Sequence, residues 1–169
     1  MRTKVIVVAV LSAVLLSAGA AWAEVQYGGY GIVAGEERPF LRAKIGWFEP
    51  SEGDLDGDIA FGVDYIIPAR QTYLTIDRLH AEDTAVEATT WTIIGGLYRV
   101  TPRGYAYGAG IGWSSQELET PSGDKDEDNL AWEIGAGMSV SETGFAEVKY
   151  RDGGEDGNTG LVLYFGVTY

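Results

Sequence analysis

The chain predicts an all-β protein, an eight-stranded antiparallel up-and-down transmembrane β-barrel, and three observations carry that expectation. Its segments alternate apolar and polar residues with a period of two, the breaks between them alternate in kind, and its tryptophans and tyrosines separate into two groups along the strands. The last nine residues state the pattern most plainly. Leu161, Leu163, Phe165, Val167 and Tyr169 share one face, and Val162, Tyr164, Gly166 and Thr168 the other. One face is wholly apolar, and a strand of about nine residues crosses a bilayer when tilted.

The chain of 169 residues allows one domain behind an export signal. Arg2 and Lys4 precede an apolar run from Val5 to Leu16, and small residues lead to Ala21-Trp22-Ala23. That order of charge, apolar core and A-x-A site is the order of a cleaved secretory signal peptide over residues 1–23. Loss of Arg2 and Lys4 takes the formal charge from −13 to −15, which argues against nucleic acid as a partner and against a basic lipid-binding patch. Cysteine is absent, so an exported domain must find its stability without disulfides. Residues 24–38 form an N-terminal segment whose Val25 to Val33 stretch has the makings of an extra strand but is interrupted by glycines. The barrel domain occupies residues 39–169.

Each strand is then justified by its own alternation. The first sets Leu41, Ala43, Ile45 and Trp47 against Arg42, Lys44, Gly46 and Phe48, and an acidic break from Ser51 to Asp58 follows. The second sets Ile59, Phe61, Val63, Tyr65 and Ile67 against Ala60, Gly62, Asp64 and Ile66, and stops at Pro68. The third, Thr72 to Leu79, places Leu74 and Ile76 outward and Tyr73, Thr75 and Asp77 inward, with a break from His80 to Glu87. The fourth runs from Ala88 to the turn at Thr101-Pro102-Arg103-Gly104, with Trp91, Ile93, Gly95 and Leu97 outward. The fifth opposes Tyr105, Tyr107, Ala109, Ile111 and Trp113 to Ala106, Gly108, Gly110, Gly112 and Ser114, before a long polar loop from Ser115 to Asn129. The sixth opposes Leu130, Trp132, Ile134, Ala136, Met138 and Val140 to Ala131, Glu133, Gly135, Gly137 and Ser139. The seventh sets Ala146, Val148 and Tyr150 against Phe145, Glu147, Lys149 and Arg151, and a last acidic break from Asp152 to Gly160 precedes the closing strand.

Breaks after the odd strands are long and acidic, those after the even ones short, as expected when short turns face the periplasm and long loops face outward. The four long breaks together carry −15, so the net charge gathers on one rim. Trp47, Trp91, Trp113 and Trp132, with Tyr150, fall at one level of the outer face, and Tyr65, Tyr105, Tyr107 and Tyr169 at the other. Two aromatic belts flanking an apolar band are expected of a membrane barrel, whereas a soluble sandwich does not require such sorting.

The stretch from about Phe40 to Tyr169 resembles the small eight-stranded outer-membrane barrels of the OmpA/OmpX type, on its strand pattern and on the terminal Leu163-Tyr164-Phe165-Gly166-Val167-Thr168-Tyr169. The resemblance implies location in a Gram-negative outer membrane, contact with outer-membrane lipid and lipopolysaccharide, and recognition of Leu163, Phe165, Val167 and Tyr169 as an assembly signal by the barrel assembly machinery. The sequence departs from the family in ending on Tyr rather than the commoner Phe, and the family's periplasmic peptidoglycan-binding domain is not expected here.

The inner face carries Arg42, Lys44, Asp64, Asp77, Glu133, Glu147, Lys149 and Arg151, four charges of each sign. Strand direction places Arg42, Lys44, Asp64 and Glu147 in a lower layer and Asp77, Glu133, Lys149 and Arg151 in an upper one, each balanced as an ion-pair network must be to survive burial. The small inner residues of strands five and six either make room for large ones such as Tyr73, Phe48 and Tyr164 or leave a cavity for a lipid tail, and filling is the expectation. Acidic runs at Asp54, Asp56 and Asp58 and at Asp124, Asp126 and Asp128 have the hard-oxygen chemistry for weak divalent-cation binding, but Ile59 stands where a calcium loop needs Gly, and solvated loops are expected. His80, with Ser114 or Ser115, supplies the ingredients of a lipid-modifying enzyme without a motif. The expected role is structural or surface-interacting and non-enzymatic, with no catalytic residue, metal or cofactor. A narrow pore or small-molecule binding barrel is the alternative, and a lipid-modifying enzyme comes third.

Overall fold

A computed structural model describes residues 38–51, 55–101, 104–154 and 158–169. The signal-peptide expectation and nearly all of the 24–38 segment lie outside the described residues. Alternation with period two produces eight strands: β1 (Phe40–Pro50), β2 (Asp56–Ile67), β3 (Thr72–Glu82), β4 (Glu87–Val100), β5 (Tyr105–Glu119), β6 (Lys125–Ser139), β7 (Gly144–Asp152) and β8 (Gly160–Thr168). Each pairs antiparallel with the next, and β8 returns to β1, so the sheet is a closed up-and-down barrel. The lower turns are tight. Gln71, in the left-handed region at φ 53°, closes the turn after Pro68 through its N–H to the Pro68 carbonyl at 3.0 Å, and Gly104 (φ 83°) closes the next in the same way onto Thr101.

Cross-strand partners followed round the barrel from Phe40 pass through Ile66, Tyr73, Gly96, Gly110, Glu133, Arg151 and Gly160. The walk returns to β1 at Pro50, ten positions beyond its start. A shear of ten over eight strands tilts the strands by roughly 40°, given a rise of about 3.3 Å per residue and a strand spacing of about 4.8 Å. The nine-residue strands β7 and β8 then span roughly 23 Å along the barrel axis, close to the apolar band of an outer-membrane barrel at about 25 Å.

The two faces of the wall differ as the alternation requires. Ile45, Ile76, Ile93, Leu97, Ile111, Leu130, Ile134 and Phe165 point outward and are 44–65% exposed, an inside-out distribution for a protein in water. The interior is filled in three tiers. Phe48, Ala60, Leu79, Ala81, Val162 and Tyr164 close the upper end, Phe40, Ile66 and Tyr98 with Tyr73 close the lower, and the inward charges lie between.

The strands at the acidic end are longer than the sequence predicts. Residues expected in loops continue the ladder: His80 to Glu82 in β3, Ser115 to Glu119 in β5 and Lys125 to Asn129 in β6. Above the apolar band the outward residues are polar and the inward ones mostly small or polar, Ala81 and Gln116 among them, so the apolar alternation stops while the backbone hydrogen bonds do not. The asymmetry between the two ends therefore resides mainly in strand overhang, with β5 and β6 each 15 residues long.

Candidate functional site: the interior ion-pair network and the outer wall

All eight inward charges are buried, Arg151 completely. Asp64 on β2 accepts from Arg42 and from Lys44, the latter at 2.6 Å, and Glu147 on β7 faces Arg42 at 3.2 Å and Lys44 at 3.5 Å. These four residues form a closed ring. Lys44 also meets Asp77 at 3.0 Å, Asp77 pairs with Arg151, Arg151 with Glu133, Glu133 with Lys149 at 2.9 Å, and Lys149 returns to Glu147 at 3.3 Å. The second ring of six shares the Lys44–Glu147 edge with the first. Two separate layers are therefore a correction to make: Lys44 crosses to Asp77 and Lys149 to Glu147, and the eight charges form one network.

The crossing depends on glycine. Lys44, Gly62 and Asp77 are consecutive partners in one cross-strand row, and a Cβ on Gly62 would stand 1.8 Å from Asp77 Oδ1 and 2.5 Å from Lys44 Cε. The missing side chain is the space through which the ammonium reaches the carboxylate. Tyr73 uses the same device. Its row continues through Gly96 and Gly110 to Glu133, its ring covers both glycines, and its hydroxyl donates to Glu133 at 2.8 Å. Phe145 likewise fills the space over Gly166. Of the three rings expected over the small residues of strands five and six, Tyr73 reaches Gly110 of β5 by way of Gly96 of β4, whereas Phe48 stands over Gly160 of β8 and Tyr164 over Gly46 of β1. A cavity lined by Arg42, Tyr73, Tyr98 and Lys149 is about 20 Å³, room for about one water molecule.

Hydroxyls and rings complete the shell. Lys44 donates to Thr75 at 2.9 Å, Thr75 donates to Asp77 at 3.1 Å, and Arg151 Nη1 donates to Thr92 at 2.9 Å. The Arg42 guanidinium lies 4.2 Å from the Phe145 centroid and the Lys44 ammonium 4.5 Å from that of Tyr164. Thr92 was not legible as a partner, since a threonine on a β-branched strand has no pattern that marks it. Above the network, Asn158 donates to Ser114 Oγ at 3.0 Å and to the Gly153 carbonyl at 3.4 Å, tucking the β7–β8 connection into the barrel mouth.

Trp47, Trp91, Trp113 and Trp132 point outward, as do Tyr65, Tyr107 and Tyr169. From β4 to β7 the positions Trp91, Trp113, Trp132 and Tyr150 step down by two residues at each strand. The perpendicular walk climbs toward the acidic end, so this staircase offsets the shear and holds the aromatics near one height; Trp132 and Tyr150 touch, with centroids 5.7 Å apart. Tyr105 and Tyr107 lie at the opposite end of β5, and the Tyr169 N–H donates to the Leu41 carbonyl at 3.0 Å, closing the lower end of the seam between β8 and β1. Leu163, Phe165 and Val167 occupy the outward face of β8 beside Trp47, Ile45 and Ala43.

His80 belongs to a strand, not a loop, because the β3–β4 ladder extends past it to Glu82 and Glu87. It faces outward, with Nδ1 3.2 Å from the Thr89 hydroxyl and Nε2 3.6 Å from carboxylates of both Asp58 and Glu87. Ser114 faces the interior, on the other side of the wall, and Ser115 is outward on β5 opposite Trp91. Asp126 and Asp128 occupy successive outward positions of β6, an extended geometry that spreads carboxylates apart; Asp54 lies outside the described residues. Among the described residues no group of three or more His, Asp or Glu side chains converges on a metal-sized space.

No protein-family model matches the chain, and no curated protein matches it. Among solved structures, the N-terminal β-barrel domain of Pseudomonas aeruginosa OprF aligns with a TM-score of 0.50 at 13% identity, covering 79% of this chain and 98% of that one. Ail, the attachment invasion locus protein of Yersinia pestis, in complex with the heparin analogue sucrose octasulfate, aligns with a TM-score of 0.50 at 8% identity over 78% of this chain and 97% of that one. At these identities the likeness is one of fold, and the fold is that of the small eight-stranded outer-membrane β-barrels.

Two substitutions probe the interior. Glu147→Ala removes the carboxylate shared by Arg42, Lys44 and Lys149, and is expected to lower the stability of the refolded barrel by about 3–5 kcal/mol. A urea midpoint unchanged from the parent would count against the network. Gly62→Ala, overpacked against Asp77 and Lys44, should cost about 1–3 kcal/mol in the same titration, while Gly95→Ala, where the nearest atom to the new Cβ is 4.0 Å away, should be close to neutral. Equal effects at the two glycines would show that interior space is not the reason for Gly62.

Proposed function

We propose that this barrel is an integral protein of a Gram-negative outer membrane, exported through a cleaved signal over residues 1–23, with a structural or surface-interaction role that does not involve catalysis. The observation that carries the reading is the opposition of the two faces of one wall: an exposed apolar band edged by aromatics outside, and a closed ion-pair network inside. Lipid is the solvent that suits the first, and a barrel with no free backbone edge across the band is what lipid demands of the second. In this orientation the acidic end faces outward and the tight turns face the periplasm. The cheapest test is gel migration before and after boiling. The folded barrel in detergent is expected to run at a different apparent mass from the boiled chain, and identical migration would sink the membrane-barrel reading.

The filled interior favours a closed barrel over a pore. Apolar clusters stop both ends and the network occupies the middle, so reconstitution into planar bilayers should give no stepwise conductance. Ohmic steps in the parent protein would revive the pore. The enzyme reading finds little support in the geometry: Ser114 lies on the opposite face of the wall from His80, and Ser115, on the same face, has β4 between it and His80 and is in register with Trp91 and Arg78 instead. Ail is seen with a polyanionic heparin analogue. The rim here is acidic and calls for cationic partners instead. Weak divalent-cation binding along that rim fits its charge and is tested by calcium titration calorimetry, in which an absence of heat would end it.

The outward face of β8 is proposed as the segment read by the barrel assembly machinery in the course of insertion, with outer-membrane lipid and lipopolysaccharide around the finished wall. Tyr169 is 81% exposed, so its ring contributes little to the folded wall. Tyr169→Ala should reduce the amount of barrel assembled in cells several-fold while leaving refolding into detergent unaffected. Equal losses in both settings would assign the residue to stability rather than recognition.

A further inference from the structure

The net charge speaks for the acidic end alone. At the lower end, among the described residues, Arg70 sits in the β2–β3 connection and Arg99 one residue before the end of β4, with Glu142 away from both in the β6–β7 connection. Both arginines are exposed, and among the described residues neither meets a carboxylate. Arg42, Lys44, Lys149 and Arg151, by contrast, are paired inside, and Lys125 is paired with Glu127 at the acidic end. The connection that brings the two arginines together is fixed. Tyr98 N–H donates to the Gln71 carbonyl at 2.9 Å and Arg99 Nη1 donates to Gln71 Oε1, so Arg99 is held against the residue that follows Arg70.

Arg99 also continues the lipid-facing column of β4, two positions below Leu97 and opposite Tyr107 of the lower aromatic belt. It stands eight residues from Trp91 of the upper belt. At a rise of about 3.3 Å per residue and a tilt of roughly 40°, that is roughly 20 Å along the barrel axis. An apolar band of about 25 Å therefore ends close to Arg99, and a long side chain at that level carries its charged head out of the hydrocarbon. The acidic rim lies beyond Trp91, while salt screens exposed charges more than about 10 Å apart, so the rim does not neutralise this pair. Phosphates are the anions that a bilayer presents at this height, and planar guanidinium forks match them. Resting on the membrane orientation proposed above, we infer that Arg70 and Arg99 bind the phosphate of an anionic glycerophospholipid in the periplasmic leaflet, with its acyl chain along Leu97. Gln71 is the positioning residue, since it holds Arg99 beside the turn.

The test uses the full barrel in nanodiscs of equal parts phosphatidylcholine and phosphatidylglycerol, with native mass spectrometry counting the lipids that stay on the released protein. Phosphatidylglycerol should be retained over phosphatidylcholine by about tenfold or more, at about fivefold per basic residue near a membrane surface. The Arg70→Gln, Arg99→Gln double variant should keep the boiling-dependent gel shift and lose the preference. The Arg70→Lys, Arg99→Lys variant, which keeps the charges, should retain most of it. Arg78, outward on β3 in register with Trp91, marks the upper belt, and Arg78→Gln should change nothing. Loss of the preference in Arg78→Gln would move the anion to the upper belt and overturn the site. So would a preference that survives the double glutamine variant, or one abolished by soluble polyglutamate, which would make this end a surface for acidic macromolecules. A barrel without the gel shift would fail the membrane reading; an inserted barrel with no lipid preference fails this inference alone.

Discussion

Four cations and four carboxylates share an interior that a ring of eight strands makes too narrow for bulk water, so each charge has to be neutralised by the others. The rest of the structure depends on that closure. A buried ion pair contributes little net stability compared with well-packed apolar groups, because desolvation consumes most of the Coulomb gain. What the network supplies is a penalty for being wrong. With a side-chain period of two, a slip of one residue in any strand would turn Arg42 or Lys149 toward lipid and Ile45 or Val148 toward the network. A lysine or arginine on the lipid face near the bilayer midplane costs about 2–4 kcal/mol, and its abandoned partner inside adds to that. The charges fix which face is which.

Two fused rings can form only because the wall is sheared and punctuated. In a row of cross-strand partners, side chains two strands apart are separated by the residue between them. Gly62 between Lys44 and Asp77, and Gly96 and Gly110 between Tyr73 and Glu133, remove that obstacle where a long side chain must pass. Glycine weakens a strand and leaves nothing to pack. Here its place is taken by a neighbour's stem or ring, so the volume is filled and the ladder is kept.

Those particulars explain what could and could not be read in the sequence. The inward set was legible because lipid enforces contrast: Arg42 and Lys44 alternate with Leu41, Ala43 and Ile45, and no other face assignment leaves a continuous apolar wall. The partners were less legible, since Lys44 meets Asp77 through the register of β1, β2 and β3 together, and alternation within one strand carries no register. The strand ends failed for a related reason. At Lys125–Asn129 both faces carry exposed or half-buried polar residues, and at His80–Glu82 the one buried side chain is the small Ala81, so a strand there looks like a polar loop.

The acidic overhang is held by different forces from the wall beneath it. Asp56 faces Glu82, Glu82 faces Glu87, Glu87 faces Glu119, and Glu117 faces Asp126, and like charges directly opposite one another destabilise a ladder. The overhang is more than a lone hairpin, which would be marginal in water, because the β3–β4 ladder runs to Glu82–Glu87 and the β4–β5 ladder to Glu87–Glu119. It persists because β5 and β6 enter it already aligned by the barrel, which has met the entropic cost of registering them. Nothing in the stability of the wall asks for carboxylates at those positions. Their arrangement suits the surface role proposed above, as a rim whose own repulsion a cationic partner would relieve.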